Sequence, residues 1–397
     1  MGQLFTELAR RAPAFGHREV ETYVREIPEF RFLDSKPTAR AEALEYAVWF
    51  RHRTVDLAPG DGALSDSDLQ YIASMGELRA RAGLSSESRQ RVLHVHTSLM
   101  LREINEATAA GRDGDVEELM TAMAWFALQG ERGISAYRRG FIGVLRQRLP
   151  YEGQVALLAQ ALLNEDPAAK ELAVLLGEEL PAYCAVTVVR LADDDGDLAQ
   201  GERIAASLIT AHRVPVLWQT APDGGTLSIL LPSDSELPAP QTAARALAVV
   251  QDFAHAAARP CAAGTAFGPV AELADAHDRA RRIGRATPLR QPVQLRPHTM
   301  EDTFVELAVA DAPPIDGWLR TMARQLEPGP DLITTLDAYY RSDMNRRQAA
   351  ATLNVHPRTL DYRLNRVLRL TGIDPASTRG VRILSTLVAR RLAGAWE

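Results

Sequence analysis

Cysteine is scarce: Cys184 and Cys261 are the two in 397 residues. Two thiols cannot build a disulfide framework or a zinc cluster. Both lie in apolar, β-prone surroundings, so buried free thiols in a reducing compartment are expected. Long apolar runs are missing as well. No stretch approaches the roughly 18 residues needed to span a bilayer. The start does not read as a signal peptide, so a cytoplasmic chain without a membrane partner is expected. Met1-Gly2 followed by Thr6 fits the short myristoylation pattern, with no second membrane signal beside it. Absent too are a Walker loop, a nucleophile elbow and a His-Glu-x-x-His motif. His94 and His96 stand two apart, about 200° round a helix, and are poor joint ligands for one metal. No catalytic residue, metal or cofactor is assigned.

Positive charge is short overall, with a net charge of −6, which alone argues against a nucleic-acid partner. Its distribution reverses the argument. From Asp331 to Glu397 there are 11 Arg, no Lys and six acidic residues, a local net charge of +5 that leaves −11 on the remainder. An acidic body with a basic end points to a nucleic-acid-binding module there.

What is present is an ordinary globular composition, 46% hydrophobic and 24% charged, in a chain too long for one core. Residues 1–180 read as helical. Val116, Leu119, Met120, Met123, Phe126, Ala127, Ile134, Tyr137, Phe141, Val144 and Leu145 recur at helical spacing, as do Val92, Val95, Leu99 and Leu101. Such stripes need partners, so a bundle is expected. Gly130, Gly133, Gly140 and Gly143 allow close packing or a kink.

Residues 181–300 change period. Tyr183 to Leu191 is a β-prone run and Ala199 to Ala211 is helical. Val216 to Thr220 and Thr226 to Leu231 flank a turn-rich Ala221-Pro-Asp-Gly-Gly225. A helix over Thr242 to Ala258, a strand over Cys261 to Ala266, a helix over Val270 to Ile283 and a last strand at Val293 to Leu295 complete a β-α-β-β-α-β order. That order predicts a ferredoxin-like α/β sandwich. Residues 301–330 read as a helical linker with a hinge at Pro313-Pro314, and 331–397 as the final domain. The fold class is multidomain α+β.

The final domain carries the sharpest signal. Leu332 to Tyr340 predicts a first helix. Asn345 caps a second, with Gln348 placed to complete a capping box, and Ala349 and Ala350 let another helix cross closely. Leu353-Asn354-Val355 makes the turn, with Asn tolerating the left-handed region. Pro357 sits at the first position of a third helix that stops at Gly372. At about 100° per residue, Leu360, Leu364, Val367 and Leu368 share one face. Opposite lie Arg358, Tyr362, Asn365, Arg366 and Arg369, with Thr359 and Arg363 on the flank. In a helix-turn-helix the second helix enters the major groove with its N-terminal residues nearest the bases. Arg358, Thr359 and Tyr362 are therefore expected at or near base edges, and Arg363, Arg366 and Arg369 at phosphates. Arg363 suits a structural ion pair equally well.

The stretch Asn345-Arg-Arg-Gln-Ala-Ala-Ala-Thr-Leu-Asn-Val-His-Pro-Arg-Thr-Leu-Asp-Tyr-Arg-Leu-Asn-Arg-Val367, with Leu370-Thr-Gly-Ile-Asp374, resembles the C-terminal domain of the PucR/CdaR family of bacterial regulators. The shared pattern here is His356, Thr359, Tyr362, Arg363, Leu364 and Gly372. The resemblance adds Arg346, Arg347 and His356 to the DNA-contacting set. Arg358 and Asp361 depart from the usual residues, which implies a different operator preference. Ala263-Gly-Thr-Ala-Phe-Gly-Pro-Val270 and the helix after it are similar to the degenerate GGDEF-like domain of that family. Pro222-Asp-Gly-Gly-Thr226 lacks the Asp-Glu pair of a working cyclase. The helical region is similar to family sensor regions. The expectation is an effector-responsive regulator of double-stranded DNA that acts as a homodimer or higher homo-oligomer. The alternative is a nucleotide-handling enzyme using Asp193-Asp-Asp-Gly-Asp197, whose carboxylates can hold Mg²⁺.

Overall fold

The computed structural model describes residues 2–110, 116–192, 198–221, 224–233, 235 and 239–396. They form two compact units, 1–150 and 151–397. The first is helical: α1 (Gln3–Glu26), α2 (Pro37–Leu57), α3 (Asp66–Arg81), α4 (Ser86–Ala110) and α5 (Val116–Arg148). Ser65 opens α3 through a capping box with Asp68, and Asp68 also takes a two-pronged bond from Arg53 at 2.9 Å. Helix α5 runs unbroken through its glycines. Gly140 serves close packing, since a Cβ there would stand 2.0 Å from the Ala73 carbonyl oxygen. The apolar stripe expected on α5 is buried only in part. Phe126, Tyr137, Phe141 and Val144 enter the core, whereas Val116, Met120 and Met123 stay exposed.

Ions lie inside this unit. Arg51 is buried between Glu19 and Glu103, at 2.6 and 2.8 Å. His96 Nδ1 and the Tyr23 hydroxyl also meet Glu19. Burial works to raise the Glu19 carboxyl, but the charges of His96 and Arg51 hold it well below the usual carboxylate range. Glu103 goes the other way, raised by burial in spite of Arg51.

The second unit begins with α6 (Tyr151–Leu163) and α7 (Ala168–Leu176). Val155 of α6 packs into the same apolar cluster as the sheet, so the first unit closes at Pro150 rather than at residue 180. Next come β1 (Tyr183–Leu191), α8 (Leu198–His212), β2 (Val216–Ala221), β3 (Gly224–Ser233), α9 (Pro240–Ala257), β4 (Cys261–Pro269), α10 (Leu273–Ala286) and β5 (Pro297–His298). The sheet order is β2-β3-β1-β4-β5. The first four strands are antiparallel neighbours, and β5 joins β4 in parallel. The first four strands make the expected split β-α-β sandwich. Leu208, Ile209, Val250 and Phe253 of α8 and α9 pack on Ala185, Val189, Leu227 and Ile229, on one face of the sheet. Helix α10 packs against β1 and β4.

Two local expectations fail here. The strand placed at Val293–Leu295 is a 3-10 turn over Pro292–Gln294, because Pro292 fixes φ and has no ladder donor. The helix expected from Val270 starts as a separate 3-10 turn before α10. Of the turn between β2 and β3, Pro222 and Asp223 lie outside the described residues, as does the whole Asp193–Asp197 run. Cys184 and Cys261 are buried and free, as expected. Burial pushes both thiols up to about 12.

The chain ends in six helices: α11 (Met300–Ala310), α12 (Pro313–Leu326), α13 (Leu332–Arg341), α14 (Arg346–Thr352), α15 (Pro357–Thr371) and α16 (Thr378–Leu392). Pro313 and Pro314 occupy the first turn of α12, where their missing donors cost nothing. Leu319, Met322 and Leu326 of α12 share one apolar cluster with Leu336, Leu360, Leu384 and Leu387. Asp316 bonds both Arg390 and Trp396 at 2.9 Å. The segment expected as a linker is therefore packed into the terminal core.

Candidate nucleic-acid interface

Helix α14 is short and capped as its sequence predicts. Asn345 Oδ1 accepts from the N–H groups of Arg347 and Gln348 at 3.1 and 3.2 Å. The reciprocal bond expected from Gln348 is superseded, because the Asn345 N–H donates to the Ser342 carbonyl at 2.8 Å. Ala349 and Ala350 are buried. Asn354 takes the left-handed conformation, φ 53°, and the Val355 N–H closes the turn on the Ala350 carbonyl at 3.0 Å. Pro357 opens α15, and Gly372 ends it at φ 68°.

The N-cap of α15 is His356, whose Nδ1 accepts from the Arg358 N–H at 3.2 Å. That bond uses the Nδ1 lone pair as its acceptor. His356 thus shapes the start of the helix, a role its type did not advertise, although its side chain remains exposed.

Helix α15 buries Leu360, Leu364 and Val367. Leu368, expected on the same face, is 39% exposed. It lies about 80° round from Leu360, at the edge of the stripe. The opposite face carries Arg358, Thr359, Tyr362, Asn365 and Arg369, all exposed, with Arg366 half-buried. The Arg369 guanidinium lies over the Tyr362 ring, 5.8 Å from its centroid, a contact that orders both side chains. Among the described residues no carboxylate pairs with Arg358, Arg366 or Arg369.

Two arginines behave differently. Arg346 bonds Asp361 at 3.1 Å across the helix pair. Both ends are exposed, so the pair adds little stability, but it partly neutralises the acidic residue that departs from the family pattern. Arg347 is exposed beside it. Arg363 is 15% exposed and holds Asp331 at 3.2 Å and the Thr335 hydroxyl at 3.3 Å. It ties α15 to the start of α13. Of its two sequence readings, phosphate ligand and structural ion pair, the geometry favours the second.

Sequence reasoning missed the residues that seat this module on the sheet. Arg290 bonds Asp337 with two prongs at 2.6 Å, Arg190 reaches the Ala393 carbonyl at 2.8 Å, and the Leu289 N–H donates to the Leu392 carbonyl at 3.1 Å. No local pattern announces them, because each joins positions far apart in the chain. Among the described residues there is no cluster of three or more His, Cys, Asp or Glu able to hold a metal, and no helix long and apolar enough to cross a membrane.

Comparison with known proteins divides the chain in three. Residues 13–149 match the RsbT co-antagonist protein rsbRD N-terminal domain, 160–286 a GGDEF-like domain, and 332–387 the PucR C-terminal helix-turn-helix domain. The uncharacterized proteins Rv2242 of Mycobacterium tuberculosis and Mb2266 of Mycobacterium bovis are each 43% identical over 58 residues, 15% of this chain. The match spans 14% of the length of those curated relatives. The crystal structure of a regulator of polyketide synthase expression from Bifidobacterium adolescentis is 18% identical, with a TM-score of 0.27. That match covers 61% of this chain and 94% of that one.

Proposed function

We propose that this chain, of the PucR type by its C-terminal module and its GGDEF-like centre, is a sequence-specific DNA-binding transcriptional regulator. One observation carries the reading: α15 seals its leucine face into the terminal core and leaves Arg358, Thr359 and Tyr362 exposed at the end that enters a major groove. Arg358 reads a guanine edge bidentately, and Tyr362 contacts the adjoining base or sugar. Arg346, Arg347, Asn365, Arg366 and Arg369 hold phosphates and set the register. Arg363 and His356 position the helix.

One recognition helix discriminates too little for a genome, so two copies of the chain bind paired half-sites as a homodimer. An effector acts through the N-terminal and central domains, and the direct bonds from Arg290 and Arg190 to the terminal helices give the GGDEF-like domain a stiff handle on the helix-turn-helix.

The test is a gel shift on operators selected from genomic DNA. The double variant Arg358→Ala, Tyr362→Ala is expected to lose operator preference by about 2–6 kcal/mol, at roughly 1–3 kcal/mol per good base contact, while its unfolding midpoint stays put. Unchanged operator affinity would overturn the assignment of this face.

A further inference from the structure

The helical unit buries a cation with no anion to match it among the described residues. Arg79 is 8% exposed, and its guanidinium lies 5.2 to 5.8 Å from the ring centroids of Tyr23, Phe30, Tyr46 and Tyr137. Its hydrogen bond goes to the Tyr137 hydroxyl at 3.3 Å. No carboxylate among the described residues pairs with it, and the Glu19 carboxylate is taken up by Arg51, Tyr23 and His96. A guanidinium offers five donors, so ring faces satisfy its charge while most of its edge is left for something else.

Beside that edge is a cavity of about 30 Å³, lined by Arg79, His96, Tyr46 and Tyr137 and walled by Phe50, Ile72 and other apolar side chains. That is more room than a single water needs, so the space takes a group a few heavy atoms in size. Two glycines of α5 keep it open. A Cβ on Gly133 would meet Ile72 and Phe50 at 3.5 and 3.8 Å, ordinary contact, and one on Gly130 only the Phe126 ring at 3.8 Å. Packing does not require glycine at either place, unlike Gly140. Alanine would favour the helix by about 1 kcal/mol at each. The two positions forgo that stability and leave the cavity unfilled.

We propose that this cavity binds a short aliphatic monocarboxylate, of acetate to propionate size, whose carboxylate pairs with Arg79 and whose tail lies against Phe50 and Ile72. A buried charge is stable when paired and hydrogen-bonded, and the bidentate fit of carboxylate to guanidinium supplies both. The site stands on the geometry of the helical unit alone; its role as the effector site rests on the regulator reading above.

The experiment is calorimetric titration and thermal unfolding of the full chain without DNA, using propionate, propionamide and ethylammonium as probes. Propionate is expected to bind saturably and raise the unfolding midpoint by about 5–10 °C at a hundredfold excess over Kd, while propionamide and ethylammonium do neither. Arg79→Met should abolish propionate binding. Gly133→Ala, which fits without a clash and fills part of the space, should weaken it at least tenfold, and decides the matter if Arg79→Met does not fold. Equal binding of propionamide, unchanged affinity in either folded variant, or no saturable binding to the parent chain overturns the proposal. Operator affinity with and without propionate is measured separately, so failure of the DNA reading leaves the site intact and the reverse holds too.

Discussion

Arginine is used in different ways in the helical unit and in the terminal module. In the helical unit Arg51 and Arg79 are withdrawn from water, one between two glutamates and the other among four aromatic rings. On α15, Arg358 and Arg369 stand in solvent with no carboxylate partner among the described residues. Arg51 has its counter-charge supplied by the fold; Arg79 has ring faces and one hydroxyl but no carboxylate among the described residues, and the α15 pair has no carboxylate there either. An arginine's role is set by whether the fold supplies its counter-charge. Where it does not, the position is a candidate for binding.

The largest effect expected from breaking this contrast is at Arg51. Arg51→Met leaves Glu19 and Glu103 buried without their cation and should cost about 3–5 kcal/mol of stability, read from the denaturant midpoint of the full chain. Replacing both glutamates with glutamine in the same variant should recover much of that loss. A drop of less than 1 kcal/mol in the single variant would mean that the buried network is dispensable.

A crossed pair on α15 sharpens the comparison within one helix. Arg363→Ala should lower stability by about 1 kcal/mol and leave the slope of log affinity against log salt unchanged. Arg369→Ala should do the reverse, reducing that slope by about 1 with stability altered by less than about 0.5 kcal/mol. Should the slope respond to Arg363 instead, the division into positioning and phosphate-binding arginines is wrong.

A third effect, read through pH, concerns a base held neutral inside the fold. Burial, with Arg296 adding to it, depresses His298 to about 4, and its Nδ1 is buried without a hydrogen-bond partner among the described residues. The unfolded chain takes up a proton near pH 6.5 and the folded chain only near 4. Between these values the unfolded state binds more protons, so stability rises with pH and is lost as pH falls. His298→Asn should flatten that dependence in urea midpoints taken at pH 5 and pH 7, and an unaltered slope would remove His298 from the account.

How legible each element was depends on how local its cause is. The turn at Asn354, the proline start and glycine stop of α15, and the burial of Leu360, Leu364 and Val367 all follow from the residue's own conformational preference or a period of about 3.6. They were read correctly. So was the strand and helix order of the sheet, apart from β5, where a proline turn displaced a two-residue strand. Leu368 at the stripe's edge was misread, because periodicity gives a direction and not the width of the neighbour that covers it. For Arg363 periodicity left a phosphate and an ion pair equally open, and Asp331, its partner, lies 32 residues away in the chain.

By itself, then, the sequence determined which segments coil, where α15 begins and ends, and which side of it is cationic, since backbone preference and amphipathic spacing act within a few residues. Tertiary structure alone decided which arginines are neutralised, that α12 packs into the terminal core, and that Gly130 and Gly133 border empty space while Gly140 does not. Charge pairing and packing depend on distances between residues remote in the chain, and those distances exist only once the helices have been brought together.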